Sequence, residues 1–489
     1  MIKNFKWLFL VSLTFIACNN DDEVTTKPNS SDGLPLTAGS ANFSKYVALG
    51  NSLTAGFSDN ALFIEGQKGS YTNILAQQFA QVGGGEFKIP YMNDNIGGLL
   101  LGGFQIQGPR LYFNGAAPVP VAGTPSTEVT TKLTGSFNNL GVPGAKSYHL
   151  LAAGYGNPAG VPLGQANPYY VRFSSSATSK IIDDATAQSP TFFSLWIGNN
   201  DVLGYATSGG TGVNRTGDPN VASYGANDIT DPGAFAGVYN TLATNLTANG
   251  AKGVVANIPY VTSVPFFTTV KYNAATLSAA QVAALNSGYA PYNGGLQLAK
   301  NAGLITEQER LDRTITFATG ANALVIVDEY LTNLSGLSLP SYRQATAADH
   351  ILLSSGGVSA QAHLQAGNGT QFPLADKWVL SKNETAEVKT ATDAYNATIS
   401  SIATSKGLAF VDANAALVQV AGSGISNGGF TVTSAFVTGG GFSLDGVHPS
   451  PRGYALIANK FLQAINLKYG SNFKDVDFGD YRILFPSML

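Results

Sequence analysis

Five widely separated residues have the types needed for nucleophilic acyl transfer. A serine hydroxyl such as that of Ser52 is a poor nucleophile until a base removes its proton. His448 can take that proton near neutral pH. Asp445 stands shortly before it, in Phe442-Ser443-Leu444-Asp445-Gly446-Val447-His448-Pro449. From a tight turn it can accept from the other ring nitrogen and hold the imidazole in one tautomer. The oxyanion of a tetrahedral intermediate needs fixed donors. The backbone N–H groups of Ser52 and Gly144 and the side-chain amide of Asn200 can supply three.

Each residue follows an apparent strand or turn. Ser52 comes after the apolar run Val47-Ala48-Leu49 and the break Gly50-Asn51. Gly144 closes the turn of Phe137-Asn138-Asn139-Leu140-Gly141-Val142-Pro143-Gly144-Ala145-Lys146-Ser147, where a short strand leads toward a helix. Asn200 lies in Gly198-Asn199-Asn200-Asp201, which ends the buried strand Thr191-Phe192-Phe193-Ser194-Leu195-Trp196-Ile197. Asp445 and His448 precede the last helix. If the strands are parallel, all of these groups converge on the carboxyl edge of the sheet, where open α/β sheets bind ligands. Asn199 is the neighbouring alternative to Asn200, and Asp201 reads as a turn brace.

Taken in order, Gly50-Asn51-Ser52-Leu53, Gly144 with its preceding turn, Gly198-Asn199-Asn200-Asp201 and Asp445-Gly446-Val447-His448-Pro449 resemble the four blocks of the SGNH hydrolases, also called GDSL lipases/esterases. The resemblance frames nearly the whole chain after its N-terminal segment. It implies a flavodoxin-like three-layer sandwich with a central parallel sheet and serine ester hydrolysis without a cofactor. It assigns Ser52 as nucleophile, Gly144 and Asn200 as oxyanion donors, and Asp445 and His448 as the acid–base pair. The family's usual aspartate after the first glycine is Asn51 here; in the family that residue supports the turn and does no proton chemistry. A carbohydrate acetyl-esterase or acyltransferase would use the same site, and a non-catalytic surface binding protein could keep the fold.

Other candidates carry less. Gly424-Ile425-Ser426-Asn427-Gly428 matches a nucleophile elbow, which needs a helix next, whereas Phe430-Thr431-Val432-Thr433 looks like a strand. Gly141 to Ser147 superficially resembles a phosphate loop but lacks the adjacent Gly-Lys and the four-residue gap. His149, His350 and His363 lack a paired acid at a turn and read as structural or surface residues. No cluster of His, Cys, Asp and Glu has metal-ligand spacing.

Strands alternating with helices predict a parallel sheet covered on both faces. Helical spacing is visible over 70–79, 232–249 and 452–469. Ser381-Lys382-Asn383-Glu384 is a capping-box pattern opening another helix. Apolar strands are expected at 254–258, 323–327 and 408–412. The hydrolase domain is expected over 41–470, with insertions at about 83–135, 204–231 and 261–380 and a tail at 471–489. Short helical patterns are expected at 279–286 and 306–313 within the longest insertion. The apolar segments 99–104 and 264–267 are candidates for contacting an acyl chain.

With 489 residues, the chain exceeds a single minimal core. Apolar residues make up 44%, enough for a sizeable interior, but charged residues only 12%, about half the usual ~25%. The formal net charge is -3 and no basic block occurs, which argues against a nucleic-acid partner. The start is basic, with Lys3 and Lys6, then apolar from Trp7 to Ile16, then Ala17-Cys18. This is a secretory signal pattern that resembles a bacterial lipoprotein signal over 1–17, with Cys18 lipidated. Phe15 stands where such signals usually carry Leu. Residues 18–40 read as a polar, flexible tether. The expected location is extracytoplasmic and membrane-anchored, with a small-molecule, lipid or glycan ester as partner. Cys18 is the single cysteine, so an intramolecular disulfide and thiolate catalysis in the body are excluded.

Overall fold

Five short, mostly buried segments lie side by side as one parallel sheet. The computed structural model describes residues 29–355 and 358–489, so the signal segment 1–17 and Cys18 lie outside the described residues. The strands are β1 (Tyr46–Gly50), β2 (Asn139–Gly141), β3 (Phe192–Trp196), β4 (Lys252–Ala256) and β5 (Ala409–Val411). Their order across the sheet is β5-β4-β3-β1-β2, all neighbours parallel. Leu49 is in register with Leu140 on one side and Leu195 on the other. Every residue of β1 and β3 is buried, as expected for strands covered on both faces.

The helices that matter for the site are α1 (Ser52–Ala55), α2 (Tyr71–Ala80), α3 (Ile181–Thr186), α4 (Asn200–Thr207), α5 (Pro232–Thr247), α6 (Ala279–Asn301), α7 (Lys382–Ser405), α8 (Ala413–Ala421) and α9 (Pro451–Tyr469). Helices α2 and α9 cover one face, where Tyr71 and Phe461 close on Trp196 with ring centroids 5.7 and 5.9 Å away. Helices α3, α5 and α7 cover the other, and Phe235 of α5 stacks on Tyr395 of α7 at 4.2 Å. Helix α7 opens on the expected capping box, in which Ser381 and Glu384 satisfy each other's backbone N–H groups. The core is thus a mixed α/β arrangement with a five-stranded parallel sheet between helical layers.

Several expectations are revised. The pattern at 279–286 extends into α6, which runs to Asn301 through Pro291. Its far half is held by packing, since Leu296 and Ala299 are buried against Ile305, Leu334 and Leu339. Tertiary contact overrides the proline signal there. Within 323–327 only Val325–Val327 is a strand. It pairs antiparallel with Tyr342–Gln344, outside the main sheet, so the long insertion builds its own small cores. Segment 83–135 forms two hairpins. Helix α4 continues to Thr207, past the expected insertion start at 204.

Residues 29–40, expected as the end of a flexible tether, are docked. The Ser31 N–H donates to the Asn472 carbonyl at 2.9 Å, and Thr37 N–H to the Asn472 side chain at 2.8 Å. The tail folds back as well: Phe473 and Phe478 belong to the main core. Among the described residues no helix is long and apolar enough to cross a membrane.

Candidate active site

Strand β1 delivers Ser52. A Cβ at Gly50 would lie 2.1 Å from Thr54 Oγ1 and 2.4 Å from the Trp196 carbonyl, so the strand can turn here only without a side chain. Asn51 then caps α1, its side-chain oxygen accepting the Leu53 N–H at 3.0 Å. Ser52 is the first residue of that helical turn. The Asn51 amide also donates to Asn199 Oδ1 at 3.3 Å, tying the turn after β1 to the turn after β3.

His448 Nε2 lies 2.9 Å from Ser52 Oγ, and His448 Nδ1 lies 2.9 Å from Asp445 Oδ2. An ionised carboxylate only accepts, so Nδ1 carries the proton and Nε2 is left to accept from the serine hydroxyl. Asp445 Oδ1 accepts the Val447 and His448 N–H groups, each at 2.8 Å. Burial acts to raise the Asp445 pKa. The His448 charge and hydrogen bond, with the two backbone donors, outweigh it and hold the pKa down at about 2. The Phe57 ring packs on the imidazole at 4.6 Å.

Asn200 begins α4 at the end of β3, and its Nδ2 donates to the Ala145 carbonyl at 2.9 Å. The amide carries a second N–H. Gly144 occupies the turn after β2 with φ +81°, a conformation that favours glycine. Among the described residues no acceptor meets the backbone N–H of Ser52 or of Gly144. The structure therefore brings Ser52, Asn200 and His448 to the edge of one cavity, and Asp445, behind His448, lines the adjoining one. Gly144 sits next to the residue that Asn200 holds, and is not itself a cavity liner. Asp201 is the brace expected of it, though across the sheet edge: its fully buried carboxylate accepts the Ser147 N–H and hydroxyl at 2.8 and 2.7 Å. It thereby fixes the far end of the Gly144 turn.

Two positioning residues escape a sequence reading. Asp59 and Asn60 both have positive φ, +51° and +65°. Asn60 N–H donates to Asp445 Oδ2 at 2.9 Å. Asp59 Oδ1 accepts the Leu444 N–H at 2.9 Å, and the Asp59 N–H donates to Ser443 Oγ at 2.9 Å. Burial pushes the Asp59 carboxyl up to about 7, partly offset by the Leu444 N–H, with the Asp445 charge adding to the rise and Arg110 opposing it. Asp59 Oδ2 is buried without a partner among the described residues. Arg110 comes from segment 83–135, and the Leu111 N–H donates to the Asp59 carbonyl. That insertion therefore buttresses the loop that holds Asp445. An Asp-Asn pair soon after the Ser52 turn is the signal that points here, because those residues tolerate left-handed backbone.

The remaining candidates are elsewhere. Ser426 is exposed on the hairpin Ile425–Asn427/Phe430–Val432 and bonds Thr431 Oγ1 at 2.8 Å. His149 is half-buried, stacked on Tyr155 at 4.4 Å and accepting the Lys146 N–H; desolvation, then the Lys146 charge, lowers its pKa to about 4. His350 meets the Phe267 carbonyl and His363 stacks on Trp378. Segment 99–104 lines neither of the two cavities that meet at His448, whereas Val264 lines the one that holds Ser52 and Phe266 the one that holds Asp445. Among the described residues no group of three His, Cys, Asp or Glu side chains is placed to hold a metal ion. No family model, curated protein or solved structure matches this chain.

Proposed function

We propose that this chain is a serine ester hydrolase of the SGNH type. The observation that carries the reading is the unbroken relay Ser52 Oγ, His448 Nε2, His448 Nδ1, Asp445 Oδ2, with 2.9 Å at both hydrogen bonds. Two features support the finer fold assignment. The strand order numbered along the chain is 2-1-3-4-5, the flavodoxin-like order. The nucleophile and the two outlying donors follow β1, β2 and β3 at their carboxyl ends.

In the proposed cycle His448 takes the Ser52 proton as Oγ bonds to the ester carbonyl carbon. The oxyanion is met by the N–H groups of Ser52 and Gly144 and by the Asn200 amide. His448 returns the proton to the departing alkoxide, the carbon–oxygen bond breaks, and acyl-Ser52 remains. Water then gives its proton to His448 and adds to the acyl carbon. Collapse of that intermediate releases the acid and restores the Ser52 hydroxyl. Asp445 stays ionised throughout and stabilises the imidazolium. The N-terminal pattern supports placing the enzyme outside the cytoplasm, anchored through Cys18.

The test is labelling with a short-chain organophosphonate followed by peptide mapping. Label on Ser52, abolished in Ser52→Ala, is the expected result. Absence of label on Ser52, or label on Ser426, sinks the reading.

A further inference from the structure

Ser52 and His448 open into a cavity that runs inward between α8, α9 and the ends of the strands. Its cavity volume is about 120 Å³, below the roughly 300–1,000 Å³ typical of drug-sized ligand sites. Its polar side chains gather at one end, in the Asn51/Ser52, Asn199/Asn200 and His448 turns. Beyond that end the lining is apolar, with Lys460 the single charged exception. On α9 the lining positions are Gly453, Leu456, Ile457, Lys460 and Phe461, and the first four of these make one stripe of the helix. At about 1.5 Å per residue the stripe is roughly 10 Å long. Ala416 and Leu417 of α8 line the same cavity.

A second, wider cleft of about 1750 Å³ lies on the other side of the site beneath the insertions. The two share Leu203, Val447 and His448. The histidine that must hand a proton to the leaving alcohol therefore stands at the partition. This geometry sorts the halves of an ester: the alcohol departs into the outer cleft, and the acyl group points along α9.

We propose, resting on the hydrolase reading above, that the inner cavity is the acyl subsite and takes a straight, saturated chain of about eight carbons. An all-trans chain advances roughly 1.25 Å per bond, as the 3.8 Å spacing of Cα atoms across three bonds implies, so about 10 Å accommodates roughly eight carbons. Apolar burial rewards each added methylene up to that length and none beyond it. Past the Ser52 end the lining side chains are apolar except for Lys460, whose ammonium donates to Gln463 Oε1 at 3.4 Å.

The experiment is a series of 4-nitrophenyl esters from acetate to hexadecanoate, with kcat/KM measured for each. The expected profile climbs roughly fourfold per methylene to about octanoate, then flattens or falls. Ala416→Trp and Ile457→Trp, filling the cavity from two different helices, should each lower the octanoate-to-acetate ratio at least tenfold; circular dichroism and thermal melting identify the variants that fold. A wild-type profile flat or peaked at acetate overturns the assignment. So does an unchanged ratio in a folded filling variant. Ser52 labelling by ethyl phosphonate separates the two levels: label with a flat profile removes the acyl subsite alone, and no label removes the hydrolase reading itself.

Discussion

Asn60 and His448 donate to the same oxygen, Oδ2 of Asp445, each at 2.9 Å. The loop just after Ser52 thus holds the carboxylate that orients His448, and segments 385 residues apart are locked together at the site. Tyr454 of α9 reinforces the link, its hydroxyl donating to the Phe57 carbonyl at 2.7 Å.

Asp445→Asn retains the shape of the turn but removes the charge and can stabilise the wrong tautomer of His448. We expect kcat to drop about a thousandfold or more while KM changes little. Steady-state kinetics on a 4-nitrophenyl ester checks this, and a loss under tenfold would remove Asp445 from the relay. The low Asp445 pKa also has a stability consequence. A carboxylate held at about 2 in the folded protein, against about 3.9 unfolded, stabilises fully above the unfolded value. That contribution, on the order of 2–3 kcal/mol, is lost as pH falls through 4 toward 2.

Asp59 has the opposite sign. Its folded pKa of about 7 lies above the unfolded value, so the folded state binds the extra proton and stability falls as pH rises from about 4 to 7. Asp59→Asn keeps an acceptor for the Leu444 N–H and removes the titration. Urea melts at pH 4 and pH 8 should show the variant gaining on the wild type at pH 8, by up to a few kcal/mol. Equal shifts at both pH values would count against a buried, titrating Asp59.

In the proposed cycle Asn200→Ala removes an oxyanion donor, and it also removes the tie to the Ala145 carbonyl. A loss in kcat of about a hundredfold or more is expected, with KM little altered. Asn199→Ala should cost far less in kcat, since Asn199 accepts from Asn51. The reverse ranking would reassign the donor.

Gly50→Ala places a methyl group within 2.4 Å of the Trp196 carbonyl, which is backbone and cannot swing aside. Destabilisation of about 3 kcal/mol or more is expected by chemical denaturation. A near-neutral result would mean that β1 and β3 can separate.

Ser426→Ala should leave both hydrolysis and phosphonate labelling unchanged, with stability within about 0.5 kcal/mol, because the side chain is exposed on a hairpin.

The parallel sheet and its helices were legible because their signals are local. Val47-Ala48-Leu49 and Phe192 to Ile197 are apolar runs ending at glycine, and the α9 pattern spaces Tyr454, Ile457, Phe461 and Ile465 on one helical face. Insertions were harder. Nothing local says that α6 passes through Pro291, because the partners that hold it, Leu334 and Leu339, lie far along the chain. Nor does local sequence say where 99–104 lies: Leu99 is buried in a satellite core and Phe104 is exposed.

By itself the sequence determined the residue types for the chemistry, their order, and the strand ends that carry Ser52, Gly144 and Asn200. Such features follow from local periodicity and turn preference. Tertiary structure decided that His448 reaches Ser52, that Asn60 and Asp59 grip the Asp445 loop, and that an apolar space opens along α9. Those are relations between segments with no local signature, set only when the sheet closes and side chains compete for the same volume.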